Sequence, residues 1–268
     1  MIPSKINPLP ARLMERKELG YKIIEWKLQL ASAINTLPGQ FVNVTVNESF
    51  DPLLPRPFGV ANLEGTILTL IFQIVGKGTM LMASLPVGSE INILMPLGNS
   101  FPPSSQSADT LVFLVGGIGL PPLLYYLYYY RNQLPEKVYF FYGAQKAEQL
   151  VKIDELQKFP LELILCTDTP SEWYQGRVTE RFKQELPVMS GGITVLSCGP
   201  NAMLYALQTM IRDRNNIQAW ASLETKMACG IGICNGCVCK SRREEKSIYQ
   251  KICTDGPVFN LRDIIWTD

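Results

Sequence analysis

The sequence predicts a multi-domain protein of the β and α/β classes: an antiparallel β-barrel (residues 1–103), an α/β domain on a parallel sheet (104–218) and a small cysteine-rich segment (219–268). Three observations carry this expectation. Short alternating runs parted by turn residues fill the first hundred positions, strand-like and helical stretches then take turns, and five of the seven cysteines crowd between Cys229 and Cys253. At 268 residues the chain has room for two average domains and a third small unit.

In the first region Tyr21–Leu30, Gln40–Val46 and Thr66–Val75 read as strands, with Glu90–Met95 as the last. Turn signals stand at Leu37–Gly39, Pro57–Gly59, Glu64–Gly65 and Pro86–Gly88. Short strands at this spacing predict a barrel. Phe101–Asp109, rich in Pro and Ser and without an apolar period, reads as a linker. Beyond it, strand Leu111–Val115 precedes a helix over Pro121–Arg131, and Lys137–Tyr142 precedes one over Lys146–Lys158. Leu161–Thr167 precedes one near Val178–Glu185, and Ile193–Ser197 one over Asn201–Arg214. This alternation predicts parallel strands joined by crossovers, stopping at about Ala221. Leu111–Tyr130 imitates a membrane span, but Gly116, Gly117, Gly119, Pro121 and Pro122 break it into halves too short to cross a bilayer.

Composition removes whole classes of chemistry. With 25 basic and 24 acidic residues, nothing points to nucleic acid or an acidic membrane. The absence of histidine excludes Ser-His and Cys-His catalysis, His-zinc sites and Rieske-type ligation. An odd, clustered cysteine set without a signal-peptide pattern predicts the reducing cytoplasm and a metal centre rather than a disulfide framework.

Within Ala228–Lys240, four residues separate Cys229 from Cys234 and two separate Cys234 from Cys237; fifteen more separate Cys237 from Cys253. This is the plant-type spacing for a [2Fe–2S] cluster. Gly230, Gly232 and Gly236 let the loop curl so that backbone N–H groups face the sulfurs. A four-cysteine zinc site is the alternative, although zinc favours paired C-x2-C knuckles and only Cys234–Cys237 forms one. Cys239 and Cys166 read as core residues.

Other signals concern nucleotides. Val115-Gly-Gly-Ile-Gly-Leu-Pro-Pro follows a strand and opens a helix, where free N–H groups favour a pyrophosphate. It departs from G-x-G-x-x-G at Pro122 and also reads as a plain strand-to-helix turn. Cys198-Gly199-Pro200 sits at the same kind of place, after the strand Ile193–Leu196, where a thiol can pack against a flat ring. Arg56 is a bidentate phosphate partner on a Pro-restrained backbone, and Gly76-Lys-Gly-Thr79 offers a glycine turn with a hydroxyl. Singly, each also reads as a surface turn.

Together, and in this order, the motifs resemble the ferredoxin–NADP reductase superfamily, and most of all the electron-transfer subunits of class 1B dihydroorotate dehydrogenases. The specific matches are Leu223–Lys240 (LETKMACGIGICNGCVCK), Ile252–Phe259 (ICTDGPVF), Met95–Pro102 (MPLGNSFP) and Val115–Leu123 (VGGIGLPPL). The resemblance implies a FAD-binding barrel, a pyridine-nucleotide domain and a C-terminal [2Fe–2S] segment. By motif it implies Cys229, Cys234, Cys237 and Cys253 as cluster ligands. FAD would meet Arg56, Pro57, Phe58, Gly59, Ile71, Phe72, Gln73, Gly78 and Thr79, and NAD(H) would lie between Gly116, Gly117, Gly119 and Cys198, Gly199, Pro200. The chain departs from the family at Gly59, where Ser or Thr is usual, at Gln73, where Arg is frequent, at Val115, which replaces a glycine, and at Lys226, where Arg is common.

The resemblance further implies an oxidoreductase without a catalytic acid–base residue of its own. It would pass electrons between NADH, FAD and the cluster, and exchange them with an FMN-containing dihydroorotate dehydrogenase catalytic subunit of pyrimidine biosynthesis in a heterotetramer. The alternatives are the same module serving another partner, of the sulfide dehydrogenase or NAD(P)H–ferredoxin reductase type, and a non-catalytic, zinc-stabilised scaffold subunit.

Overall fold

The computed structural model describes residues 8–46, 51–103, 109–243 and 246–266. Strands β1 (Leu9–Gly20), β2 (Ile23–Leu30), β3 (Phe41–Thr45), β4 (Arg56–Glu64) and β5 (Ile67–Gln73), helix α1 (Lys77–Ser84) and strand β6 (Glu90–Leu97) build the first unit. The strands close into an antiparallel barrel in the order β1-β2-β5-β4-β3-β6. Trp26, Leu28, Val42, Val44, Val60, Leu68, Leu70 and Phe72 fill it.

Three features of this barrel differ from the sequence expectation. β1 alternates only over its first five residues, where Ala11 and Leu13 are buried, and is exposed from Met14 to Glu18; its pairing with β2 and β6 makes it a strand. Pro57–Gly59 is no turn but lies inside β4, paired with β3. The Gly76–Thr79 turn opens helix α1, where the Thr79 hydroxyl accepts from the backbone N–H groups of Val75 (2.9 Å) and Gly76 (3.1 Å). Such a hydroxyl satisfies N–H groups that a helix start leaves unpaired.

The second unit contains β7 (Thr110–Gly116), α2 (Leu120–Tyr129), β8 (Lys137–Ala144), α3 (Ile153–Leu156), β9 (Glu162–Thr167), β10 (Tyr174–Gln175), α4 (Val178–Glu185), β11 (Ile193–Cys198), α5 (Asn201–Ile211) and β12 (Ile217–Ser222). The strands are parallel, in the order β10-β9-β8-β7-β11-β12. The membrane-like run is strand, glycine turn and helix, and no helix among the described residues is long and apolar enough to cross a membrane. Positions 104–108 of the linker Phe101–Asp109 lie outside the described residues. The helix expected over Lys146–Lys158 is broken instead: a 3-10 turn at Ala147–Gln149 and a left-handed Lys152 (φ 63°) precede the short α3. β12 lies beyond the last strand the sequence predicts for this domain and completes the parallel set beside β11.

The last unit forms a hairpin of β13 (Val238–Arg243) and β14 (Lys246–Lys251), then β15 (Val258–Asn260) and β16 (Ile264–Ile265). β16 pairs with β13, whereas β15 crosses to the main sheet and pairs antiparallel with β12. The cysteine segment is therefore tied to its neighbours. Cys237, Ile252, Cys253 and Phe259 share one apolar core with Phe41 and Leu97 of the barrel and Val195 and Ala219 of the sheet.

Candidate electron-transfer site

The carboxyl ends of β7 and β11 face the barrel, and two cavities open there. The first, of about 250 Å³, lies between β4, β5 and the start of α2. Seven of the expected flavin residues line it: Pro57, Phe58, Gly59, Ile71, Phe72, Gln73 and Thr79. Arg56 and Gly78 stand outside this lining and face each other: a Cβ on Gly78 would lie 2.5 Å from Arg56 Nε. The guanidinium thus sits at the N-terminal turn of α1, a place whose free N–H groups favour an anion.

The second cavity, of about 620 Å³, is lined by Gly116, Gly117 and Gly119 after β7 and by Gly199 and Pro200 after β11. These two turns touch. A Cβ on Gly119 would stand 2.3 Å from the carbonyl oxygen of Cys198, so no larger residue fits. Cys198 parts from its neighbours and lines the first cavity. Burial pushes its thiol far up; the Glu224 carboxyl adds to this, and a hydrogen bond with Ser222 opposes it. A thiol held neutral is a packing surface, not a nucleophile.

The four expected ligand cysteines come together in two pairs. Cys229 and Cys234 sulfurs are 3.3 Å apart, at the surface. Cys237 and Cys253 are both buried, close enough that Cys237, after burial itself, raises the Cys253 thiol. Among the described residues no three Cys, Asp or Glu side chains converge as a site for one metal ion. The loop N–H groups point inward: Cys234 N–H reaches Cys229 Sγ at 3.4 Å and Gly236 N–H reaches Cys234 Sγ at 3.5 Å. Burial raises the Cys229 thiol, but N–H groups of Cys234, Ile231 and Ile233 outweigh it and bring it down to about 6. Burial and Cys237 hold Cys253 up at about 12. The loop is shaped to stabilise sulfur anions at one end and shield sulfur from water at the other.

Family comparisons agree with this geometry. The model for the iron-sulfur cluster binding domain of dihydroorotate dehydrogenase B matches residues 224–265, and that for an oxidoreductase NAD-binding domain matches residues 113–209. The dihydroorotate dehydrogenase B (NAD+) electron transfer subunit of Lysinibacillus sphaericus is 33% identical, over 92% of this chain and 95% of its own. That of Shouchella clausii is 38% identical, over 85% and 86%. The chain belongs to this family of electron transfer subunits. Among solved structures, an NADH-dependent reduced ferredoxin-NADP oxidoreductase shares the fold (TM-score 0.77, 21% identity, 99% of this chain and 92% of that one). A ferredoxin NADP+ reductase from Neisseria gonorrhoeae does so at TM-score 0.70 and 19% identity, over 82% of this chain and all of that one.

Gln73, expected from the sequence, lines both cavities together with Ile118 and Glu224, which were not singled out, so the two cavities meet there. Solvent reaches Glu224 through the cleft, yet the surrounding protein displaces enough water to raise its carboxyl. Leu223, Thr225 and Met227 wall the first cavity, and Asp168 and Arg177 border the second. Glu224 and Met227 lie inside the stretch that carried the family resemblance, but their facing direction depends on β12 ending where it does. Asp168 follows β9 directly, and no motif in the sequence pointed to it.

Proposed function

We propose that the chain carries electrons between NADH, FAD and a [2Fe–2S] cluster, and exchanges them with an FMN-containing subunit that oxidises dihydroorotate to orotate in pyrimidine synthesis. One observation supports it most. The two cavities share Gln73, Ile118 and Glu224, and Met227 brings the wall of the first within two residues of Cys229. Two cavities and a thiol loop in contact, in that order, suit a relay.

The residues fit each group. The first cavity is apolar, flanked by Pro57, Phe58 and Ile71, and opens near the Arg56–Gly78 cradle, which suits a flat ring system and a diphosphate. The glycine turns at Gly116–Gly119 and Gly199–Pro200 suit a second dinucleotide. Asp168 borders the second cavity, and a carboxylate there would accept from a ribose hydroxyl and repel a phosphate in its place, which favours NADH over NADPH. Two pairs of thiols suit two irons.

When bound, these groups supply hydride transfer, the conversion from paired to single electrons, and one-electron relay. The chain's own residues bind and orient. Cys198 and Pro122 close the first cavity toward the second. Gly59 packs against Pro122, where a Cβ would lie 3.1 Å from the ring carbon Cδ. Across the whole assembly the balance closes: dihydroorotate gives two electrons and two protons, NAD+ takes the electron pair with one proton, and one proton leaves. Thiols read as cluster ligands, not as a disulfide framework, support a reducing, cytoplasmic location.

An anaerobic absorption titration of the purified chain with NADH tests this. Flavin bands and a broad iron–sulfur shoulder, both bleached by NADH, are the expected result. A protein that holds zinc and no iron, and no flavin after reconstitution, overturns it.

A further inference from the structure

Asn43 is a polar residue in an apolar strand. Its neighbours Val42 and Val44 are fully buried inside the barrel, while Phe41 and Asn43 face outward under the cysteine segment. Asn43 is itself 3% exposed. Burying an amide there is unfavourable unless it is hydrogen-bonded. Its Nδ2 donates to the carbonyl oxygen of Cys229 at 3.2 Å, across 186 positions of sequence. The amide oxygen has no partner. This orientation is the one that satisfies the carbonyl, because an amide oxygen turned toward it would repel it.

The following residue presses on the same group. Gly230 has φ 68°, and a Cβ on it would stand 2.1 Å from Asn43 Nδ2. The Cys229–Gly230 turn is therefore seated directly on the Asn43 amide. On the strand itself, Asn43 is paired with Pro57 of β4, which lines the first cavity. A single residue thus connects the wall of the flavin cavity to the first cysteine of the thiol loop.

We propose that Asn43 is a positioning residue of the electron path: its amide clamps the Cys229–Gly230 turn to the barrel and so fixes the cluster loop against the flavin wall. The inference rests on the cluster reading above. Asn43 touches no sulfur and lines neither cavity, so its effect falls on how the loop is held, not on NADH or flavin binding.

The test uses the purified, cluster-loaded chain and two variants. Asn43→Asp keeps the shape but loses the donor; Asn43→Leu keeps the approximate volume without donor or charge. The readouts are FAD content, NADH-driven flavin bleaching, the rate of iron release to a chelator, and the electron paramagnetic resonance signal of the reduced cluster. Both variants are expected to keep FAD and wild-type flavin bleaching, to release iron about tenfold faster, and to show a changed cluster signal. Wild-type iron release and signal in Asn43→Leu overturn the proposal, even if Asn43→Asp is affected, because charge alone would then explain the loss. Loss of FAD in both variants also overturns it, since the residue would then be a general support of the barrel. A wild-type chain that carries zinc and no iron is a failure of the cluster reading, not of Asn43, and that control separates the two.

Discussion

The cavities take their walls from residues as far apart as Gly39 and Pro257, whereas the four paired thiols come from one stretch, Cys229–Cys253. The cleft is a product of tertiary packing: barrel, sheet and cysteine segment each contribute a face. The thiol loop is shaped locally, by glycines and inward N–H groups, and then seated on the barrel. Damage should differ accordingly. A lost ligand removes the whole function of the loop, while a changed wall shifts one property of the cleft and leaves the others.

The largest effect should come from Cys237→Ser, which takes away one of the four proposed ligands, a buried one beside Cys253. Iron per chain should fall to near zero while FAD and its bleaching by NADH persist; iron analysis beside the visible spectrum checks this. If flavin is lost as well, the loop is not separable from the cleft.

Next is Gly119→Ala. Its Cβ would meet backbone, not a side chain that can rotate away. Forcing the β7 and β11 ends apart should cost about 1–3 kcal/mol of stability in denaturant melts. It should also weaken NADH binding, read by titration, more than it changes FAD content.

Asp168→Ala should act only at the far end of the second cavity. Removing the carboxylate should narrow the preference for NADH over NADPH by about tenfold, read as the ratio of kcat/KM values. An unchanged ratio would place the ribose elsewhere.

The smallest effect is expected of Glu224→Gln. The folded protein holds the Glu224 carboxyl above its ordinary value, chiefly by desolvation. Folding is then favoured by the protonated form, and that contribution is lost as pH rises through the raised pKa. The variant should melt like the parent at about pH 4 and at a higher temperature at about pH 8. The reverse trend would mean that the charged carboxylate has a stabilising partner in the cleft.

Legibility in the sequence followed the range of the interactions. The strand–glycine–helix units of the parallel sheet were readable because continuous apolar runs such as Leu111–Val115 are buried on both faces and glycine turns end them. Strand β1 was not: beyond Leu13 its residues are exposed through Glu18, and only pairing with β2 and β6 makes it a strand. The break inside Lys146–Lys158 was equally hidden. Lys152 adopts a left-handed backbone there while its ammonium reaches Glu25 of the barrel and Glu155, a tertiary contact that helix propensity does not register.

The sequence by itself determined the thiol spacing, the glycine turns and the order of the three units, because each depends on residues close together in the chain. Only the tertiary structure decided that Gln73, Ile118 and Glu224 join the two cavities, that β15 returns to the main sheet, and that Asn43 holds the Cys229 turn. Those contacts join residues tens to nearly two hundred positions apart. Which of them form depends on how separate surfaces pack against each other, and that is a property of the whole fold.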